Sequence, residues 1–153
     1  MSKYLLILDS GHAKNTAGKK AFDNSFYEWD FNNKMQYALK ERAEAHGITV
    51  KLTNPNPSTV SDISLTTRSN TANNFYKNAN KPNSIMISLH ANAYGSDFNS
   101  ARGVEVYHAS NGSGNSCSVV RIHGYSTLPR VHARSMRRIF WTAHIPRIEI
   151  QTT

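Results

Sequence analysis

Three short aliphatic runs alternating with two stretches of helical periodicity constrain this chain most. Tyr4-Leu5-Leu6-Ile7-Leu8 has four aliphatic residues in five and reads as a buried strand. From about Glu28 to His46 the residues Phe31, Met35, Ala38, Leu39 and Ala43 recur at helical spacing, and Gly47 supplies a stop. Ile48-Thr49-Val50-Lys51-Leu52 reads as a second strand by alternation and β-branching. Pro55 and Pro57 make Thr53–Ser61 a loop. A second helix is expected from about Asp62 to Asn78, carrying Leu65, Ala72 and Phe75. Ser84-Ile85-Met86-Ile87-Ser88-Leu89 forms a third strand and Gly103-Val104-Glu105-Val106-Tyr107 a fourth. This alternation predicts an α/β fold, one domain with a mostly parallel or mixed central sheet flanked by helices.

Beyond Tyr107 the pattern weakens. Ala109–Ser116 reads as a flexible loop or linker, and residues 119–145 have no clean period. Val131–Trp141 could form a short basic helix and Ile145–Ile150 a last strand, broken early by Pro146. The charge is uneven too. Residues 1–106 hold 12 Lys/Arg against 9 Asp/Glu, whereas residues 107–153 hold six Arg and no Lys against Glu149 alone. The chain therefore divides into an α/β core at 1–108 and a basic, atypical C-terminal segment of the same domain at 109–153. That segment could offer a surface to an anionic partner, or have a different origin from the core.

Other features exclude broad classes. At 153 residues the chain can bury a core without disulfides or metal as staples. Its 39% hydrophobic content argues against disorder. No apolar run approaches the ~20 residues of a membrane span. The five apolar residues before Asp9 are too few for a secretory signal, so synthesis in a cytoplasm is expected. Cys117 is single and has no metal-type spacing.

Sites in open α/β sheets form beyond the carboxyl ends of strands. His12 follows the first strand through Asp9-Ser10-Gly11, and His90 follows the third directly. Glu28 stands between them at a helix start. Two imidazoles and a carboxylate are a three-ligand set that holds a catalytic zinc and leaves one position open. Singly, each has an ordinary explanation: a turn cap for His12, a carboxylate complementing the helix dipole for Glu28, a satisfied core side chain for His90. His46 suits a helix C-terminus. His108, His123, His132 and His144 lie in or beside the irregular tail without metal spacing.

The segments Leu8-Asp9-Ser10-Gly11-His12, Glu28-Trp29-Asp30-Phe31-Asn32-Asn33 and Ser88-Leu89-His90-Ala91-Asn92-Ala93, in that order, resemble the zinc-dependent N-acetylmuramoyl-L-alanine amidases of the amidase-3 family. That family includes bacterial autolysins and phage endolysins. Leu65–Asn73 and Gly103–Tyr107 resemble its second helix and next strand, so the likeness covers about residues 4–108. It implies Zn2+ held by His12, Glu28 and His90. It also implies hydrolysis of the amide between the muramic lactyl group and the first L-alanine of peptidoglycan. The family takes a second glutamate, as general base, from a late strand. Glu149 is the candidate here, the only acid after Glu105. Asn92 could offer its amide to substrate or brace the loop.

The resemblance makes peptidoglycan the expected partner. Anionic wall polymers could bind the basic tail, and release at phage lysis or secretion would bring the protein to the wall. The family continues for a further strand, loop and helix beyond its late glutamate, whereas this chain stops four residues after Glu149. Dimerisation is one way to cover the apolar surface a missing helix leaves. Two other readings stand beside the enzyme. One is a zinc-retaining, wall-binding relic without its base. The other is a nucleic-acid binder through the Arg-rich tail, which lacks the interleaved aromatics of a stacking platform.

Overall fold

Strand β1 (Tyr4–Ser10) lies inside the sheet, parallel to a neighbour on each side. In this computed structural model the described residues are 2–80, 83–92, 105–108 and 140–145, with the last two stretches and Asn92 described at the backbone alone. The order along the chain is β1, α1 (Glu28–Ala45), β2 (Thr49–Leu52), α2 (Leu65–Asn78), β3 (Asn83–Leu89), β4 (Ala91–Asn92), β5 (Glu105–His108) and β6 (Phe140–Ile145). The sheet order is β2-β1-β3-β6-β4, and β5 pairs with β6. β6 is antiparallel to β3 and β4 and parallel to β5, so the sheet is mixed, as expected. Leu5, Ile7, Met86 and Ala72 form a buried cluster between sheet and α2, with Phe75 and Ala79 packed against it. None of the helices in the described residues is long and apolar enough to cross a membrane.

α1 ends as Gly47 predicts. Gly47 adopts φ +75°, its N–H reaches Glu44 O, and the Ile48 N–H reaches Ala43 O, which together make a Schellman stop. His46 is its C-cap. The buried face differs from expectation. Phe31, Met35, Leu39 and Ala43 are half-buried and Ala38 is exposed, whereas Glu28, Asn32 and Gln36 are buried. Spaced four apart, these polar residues share one face directed at the sheet and the site.

α2 begins later than expected. Ser64 is its N-cap and accepts from the Thr67 N–H at 3.1 Å, which fixes Leu65 as the first helical residue. Leu65 is 78% exposed and contributes nothing to the core, while Arg68 and Ala72 are the buried residues of α2. Asp62 consequently precedes the helix.

The tail also departs from the sequence reading. Phe140 and Trp141, placed above at the end of a short helix, open strand β6, while residues 131–139 lie outside the described residues. A strand occupies Phe140–Ile145, while residues 146–150 of the strand expected at Ile145–Ile150 lie outside the described residues. Aromatic and β-branched residues favour the strand at Phe140–Ile145. His144 pairs with Ser88 and Tyr107, and His108 lies on β5, so both belong to the sheet.

Candidate metal centre

β1 and β3 deliver two histidines to the carboxyl ends of adjacent strands. Their register pairs Ser10 with Leu89, and the Gly11 N–H donates to Leu89 O at 2.9 Å. His90 follows Leu89 directly and His12 follows Ser10 after Gly11, so the two rings emerge side by side. Their rings lie 4.9 Å apart at 83°. Gly11 is what allows this approach. A Cβ there would overlap the His90 ring, meeting both ring nitrogens at 2.5 Å. His12 adopts φ 63°, a left-handed conformation that a non-glycine residue holds only when its surroundings fix it.

Three side chains do that fixing. Asn32 Nδ2 donates to Gly11 O at 3.1 Å, and Asn54 Nδ2 donates to both Ser10 O and His12 O at 3.1 Å. Arg68 Nη1 donates to Ser10 O at 2.8 Å. Each of the three consecutive carbonyls thus has a side-chain donor, from α1, from the loop after β2 and from α2.

Glu28 completes the set as the first residue of α1, its N–H donating to Lys19 O at 3.0 Å. Its Oε1 lies 3.1 Å from His90 Nδ1 and 3.5 Å from His12 Nε2. One ligand-type atom from each of His12, Glu28 and His90 falls within 4.8 Å of the others. The side chains are 18%, 9% and 25% exposed, leaving the cluster open on one side. Two imidazole nitrogens and a carboxylate oxygen converging on one point fit a divalent cation, which would satisfy all three electron-pair donors together. The structure thus brings the three sequence-derived residues together. Asn92 lies on β4 with its backbone paired to Phe140, while its side chain and Glu149 lie outside the described residues.

Behind the triad runs a polar network that sequence reasoning missed. His12 Nδ1 lies 3.2 Å from Asp62 Oδ2. Asp62 also accepts from Thr16 Oγ1 at 2.9 Å and from Arg68 Nη2 at 2.6 Å. Arg68 continues to Asp9, with Nη1 3.3 Å from each carboxylate oxygen. Asp9 accepts in turn from Ser88 Oγ at 2.6 Å and from Thr53 Oγ1. The Ser64 cap was the available signal, since it places Asp62 in the loop and turns Arg68 inward.

Burial holds the His12 imidazole below its ordinary pKa, outweighing the attraction of Glu28 and Asp62. For Asp62, burial acts upward, but hydrogen bonds from His12 and Thr16 and the Arg68 charge bring its pKa below the usual carboxylate value. Both shifts make the metal-free fold acid-labile. Below pH ~6.5 the unfolded state binds a proton at His12 that the folded state resists, so stability falls with pH. The Asp62 contribution is present above its unfolded pKa of ~3.9 and goes as pH drops through the lowered folded value. Metal-free His12→Gln is expected to show a flatter decline in urea midpoint between pH 7 and 5 than wild type. Parallel slopes would contradict this.

Next to the triad, Lys14, Thr16, Lys19, Lys20, Tyr27 and Trp29 line a half-open recess of about 200 Å³. Its lysines give this side of the site a positive lip, and Lys19 is near enough to act electrostatically on His12.

Comparison with known proteins gives the family and the fold. The family model for N-acetylmuramoyl-L-alanine amidase matches residues 6–137. The fold resembles the catalytic domain of CwlV, an N-acetylmuramoyl-L-alanine amidase from Bacillus (Paenibacillus) polymyxa var. colistinus, with a TM-score of 0.61 and 19% identity over 94% of this chain and 81% of that one. The CwlD amidase from Clostridioides difficile, solved in complex with the GerS lipoprotein, matches with a TM-score of 0.45 and 26% identity over 60% of this chain and 50% of that one. No curated protein sequence gives a significant match. With a triad beyond the carboxyl ends of β1 and β3 and a family match over most of its length, the chain belongs to the amidase-3 family of N-acetylmuramoyl-L-alanine amidases.

Proposed function

We propose that this protein is a zinc-dependent amidase that cuts peptidoglycan between the muramic lactyl group and the first L-alanine of the peptide stem. The observation that carries the reading is the convergence of His12, Glu28 and His90 within 4.8 Å in a chain of this family. When bound there, zinc supplies Lewis-acid polarisation of the scissile carbonyl and a water acidified toward neutrality. His12 and His90 would hold it as neutral donors and Glu28 as the single anion, on a backbone pinned by the sheet. The lysine recess beside His12 suits the carboxylates of the peptide stem and keeps that strand of substrate along the open side of the triad. Glu149 is the proposed general base, taking the proton of the attacking water and returning it to the leaving amine. Wall polymers bearing phosphate are proposed as secondary partners of the basic tail, through a salt-sensitive attraction. Action on the wall would follow release at lysis or secretion.

The test couples metal content to wall clearing. Wild type is expected to hold one zinc per chain and to clear a suspension of purified cell walls, with clearing lost in a chelator and restored by zinc. His90→Ala should lose both zinc and clearing. Glu149→Gln should keep its zinc and slow clearing about 10²- to 10⁴-fold, the range for loss of a positioned proton-transfer group. Zinc content unaffected by His90→Ala would overturn the metal site. Zinc retained without any wall clearing by wild type would mark a binding relic instead.

A further inference from the structure

We infer that Asp62 is a positioning residue for the metal: its hydrogen bonds hold His12 in the Nδ1–H tautomer with Nε2 bare toward Glu28 and His90. The inference rests on the zinc reading above but concerns the protein without its metal. Thr16 Oγ1 already accepts the Ala13 N–H at 3.0 Å, so its hydroxyl proton is directed to Asp62 Oδ2, 2.9 Å away. Arg68 Nη2, which can only donate, lies 2.6 Å from Oδ1. A carboxylate so supplied with donors is ionised and can only accept. At 3.2 Å from Oδ2, His12 Nδ1 must therefore carry the proton. A neutral imidazole has one N–H, which leaves the lone pair on Nε2, 3.5 Å from Glu28 Oε1 and inside the triad.

The opposite tautomer would set two lone pairs against each other at Asp62, whose oxygen at 3.2 Å is within hydrogen-bond reach while that of Glu28 lies at 3.5 Å, and would aim an N–H at the metal position. Arg68 also joins Asp62 to Asp9 and Ser10 O, so the ring setting of His12 is tied to the buried charge pair beneath the sheet. Partners of this kind, beyond the ligands themselves, commonly support a metal site about 10- to 100-fold in affinity. They act on a residue whose left-handed backbone is itself held by the hydrogen bonds of its surroundings.

Asp62→Asn separates this role from a structural one. Arg68 can be met only by the amide oxygen, which leaves the amide NH2 facing His12 Nδ1 and Thr16. Nδ1 must then accept, and the proton moves to Nε2. The measurements are ring ¹⁵N spectra of metal-free protein at pH 7.5, zinc affinity by chelator competition, and urea unfolding. Wild type is expected in the Nδ1–H tautomer. Asp62→Asn is expected in the Nε2–H tautomer, with zinc bound at least about 10-fold more weakly and cooperative unfolding retained. An Nε2–H tautomer in wild type would overturn the inference whether or not the variant folds. So would a folded Asp62→Asn whose zinc affinity is within twofold of wild type. His12→Ala is the control for the underlying reading: equal zinc affinity in His12→Ala and wild type would remove the metal site, while the tautomer spectra would still judge Asp62.

Discussion

Arg68→Met is expected to cost the metal-free fold about 3–5 kcal/mol, the usual consequence of removing one partner from a buried ion pair. Arg68 is 4% exposed and its guanidinium serves four groups: Asp9, Asp62, Ser10 O and Ile63 O. Methionine fills much of the volume but donates nothing. Asp9, 2% exposed, would be left with the hydroxyls of Thr53 and Ser88 as partners and with its charge uncompensated. Of its two side-chain donors among the described residues, the Ser10 carbonyl would keep Asn54. In a domain of this size each kcal/mol lowers the melting temperature by about 2–4 °C, so a drop of roughly 6–20 °C should appear in a thermal melt. The partner change Asp9→Asn, made on top of Arg68→Met, is expected to recover part of the loss, since it removes the stranded charge. A loss below about 1 kcal/mol in Arg68→Met, or strict additivity of the two changes, would contradict the pairing.

Arg68 also shows where the sequence stops being informative. The strand-helix alternation was legible because β1, β2 and β3 are dense in aliphatic residues and α1 has a glycine at its end. The triad was legible because strand ends are where α/β sheets put their chemistry, and two histidines occupy them. Periodicity, however, reports apolar faces. The face of α1 that matters is the polar line of Glu28, Asn32 and Gln36, buried because Glu28 faces the two histidines while Asn32 and Gln36 donate to Gly11 O and Asn54 O. No apolar count can reveal that. Leu65 misled for the same reason: it fits a helical stripe, yet the Ser64 cap sets the helix phase and leaves it in solvent. In the tail the arginines masked a strand. β6 gains its place from pairing with β3, β4 and β5, a long-range property that a local window does not contain.

Gly11→Ala is expected to abolish the metal site while leaving the fold intact. Gly11 is not among the residues with positive φ, so alanine meets no backbone obstacle there. By restricting the unfolded chain, it would even favour folding by about 0.4–1 kcal/mol at a compatible position. The obstacle is the His90 ring, whose nitrogens a new Cβ would meet at 2.5 Å. His90 is 25% exposed, so the ring can rotate toward solvent instead of forcing the strands apart. Rotation takes Nδ1 away from Glu28 Oε1 and removes one of three ligands. Zinc affinity should fall by more than about 100-fold, beyond what loss of a supporting partner causes. Chelator competition measures the fall, and a melt of the metal-free protein checks that stability holds. The mechanism makes a sharper demand on the double variant. Once His90→Ala has removed the ring, Gly11→Ala has nothing left to displace and should cost no further affinity, a full non-additivity between neighbours. An additional loss in the double variant would mean that Gly11 acts on the site through His12 and the loop backbone, not through the room it leaves for His90.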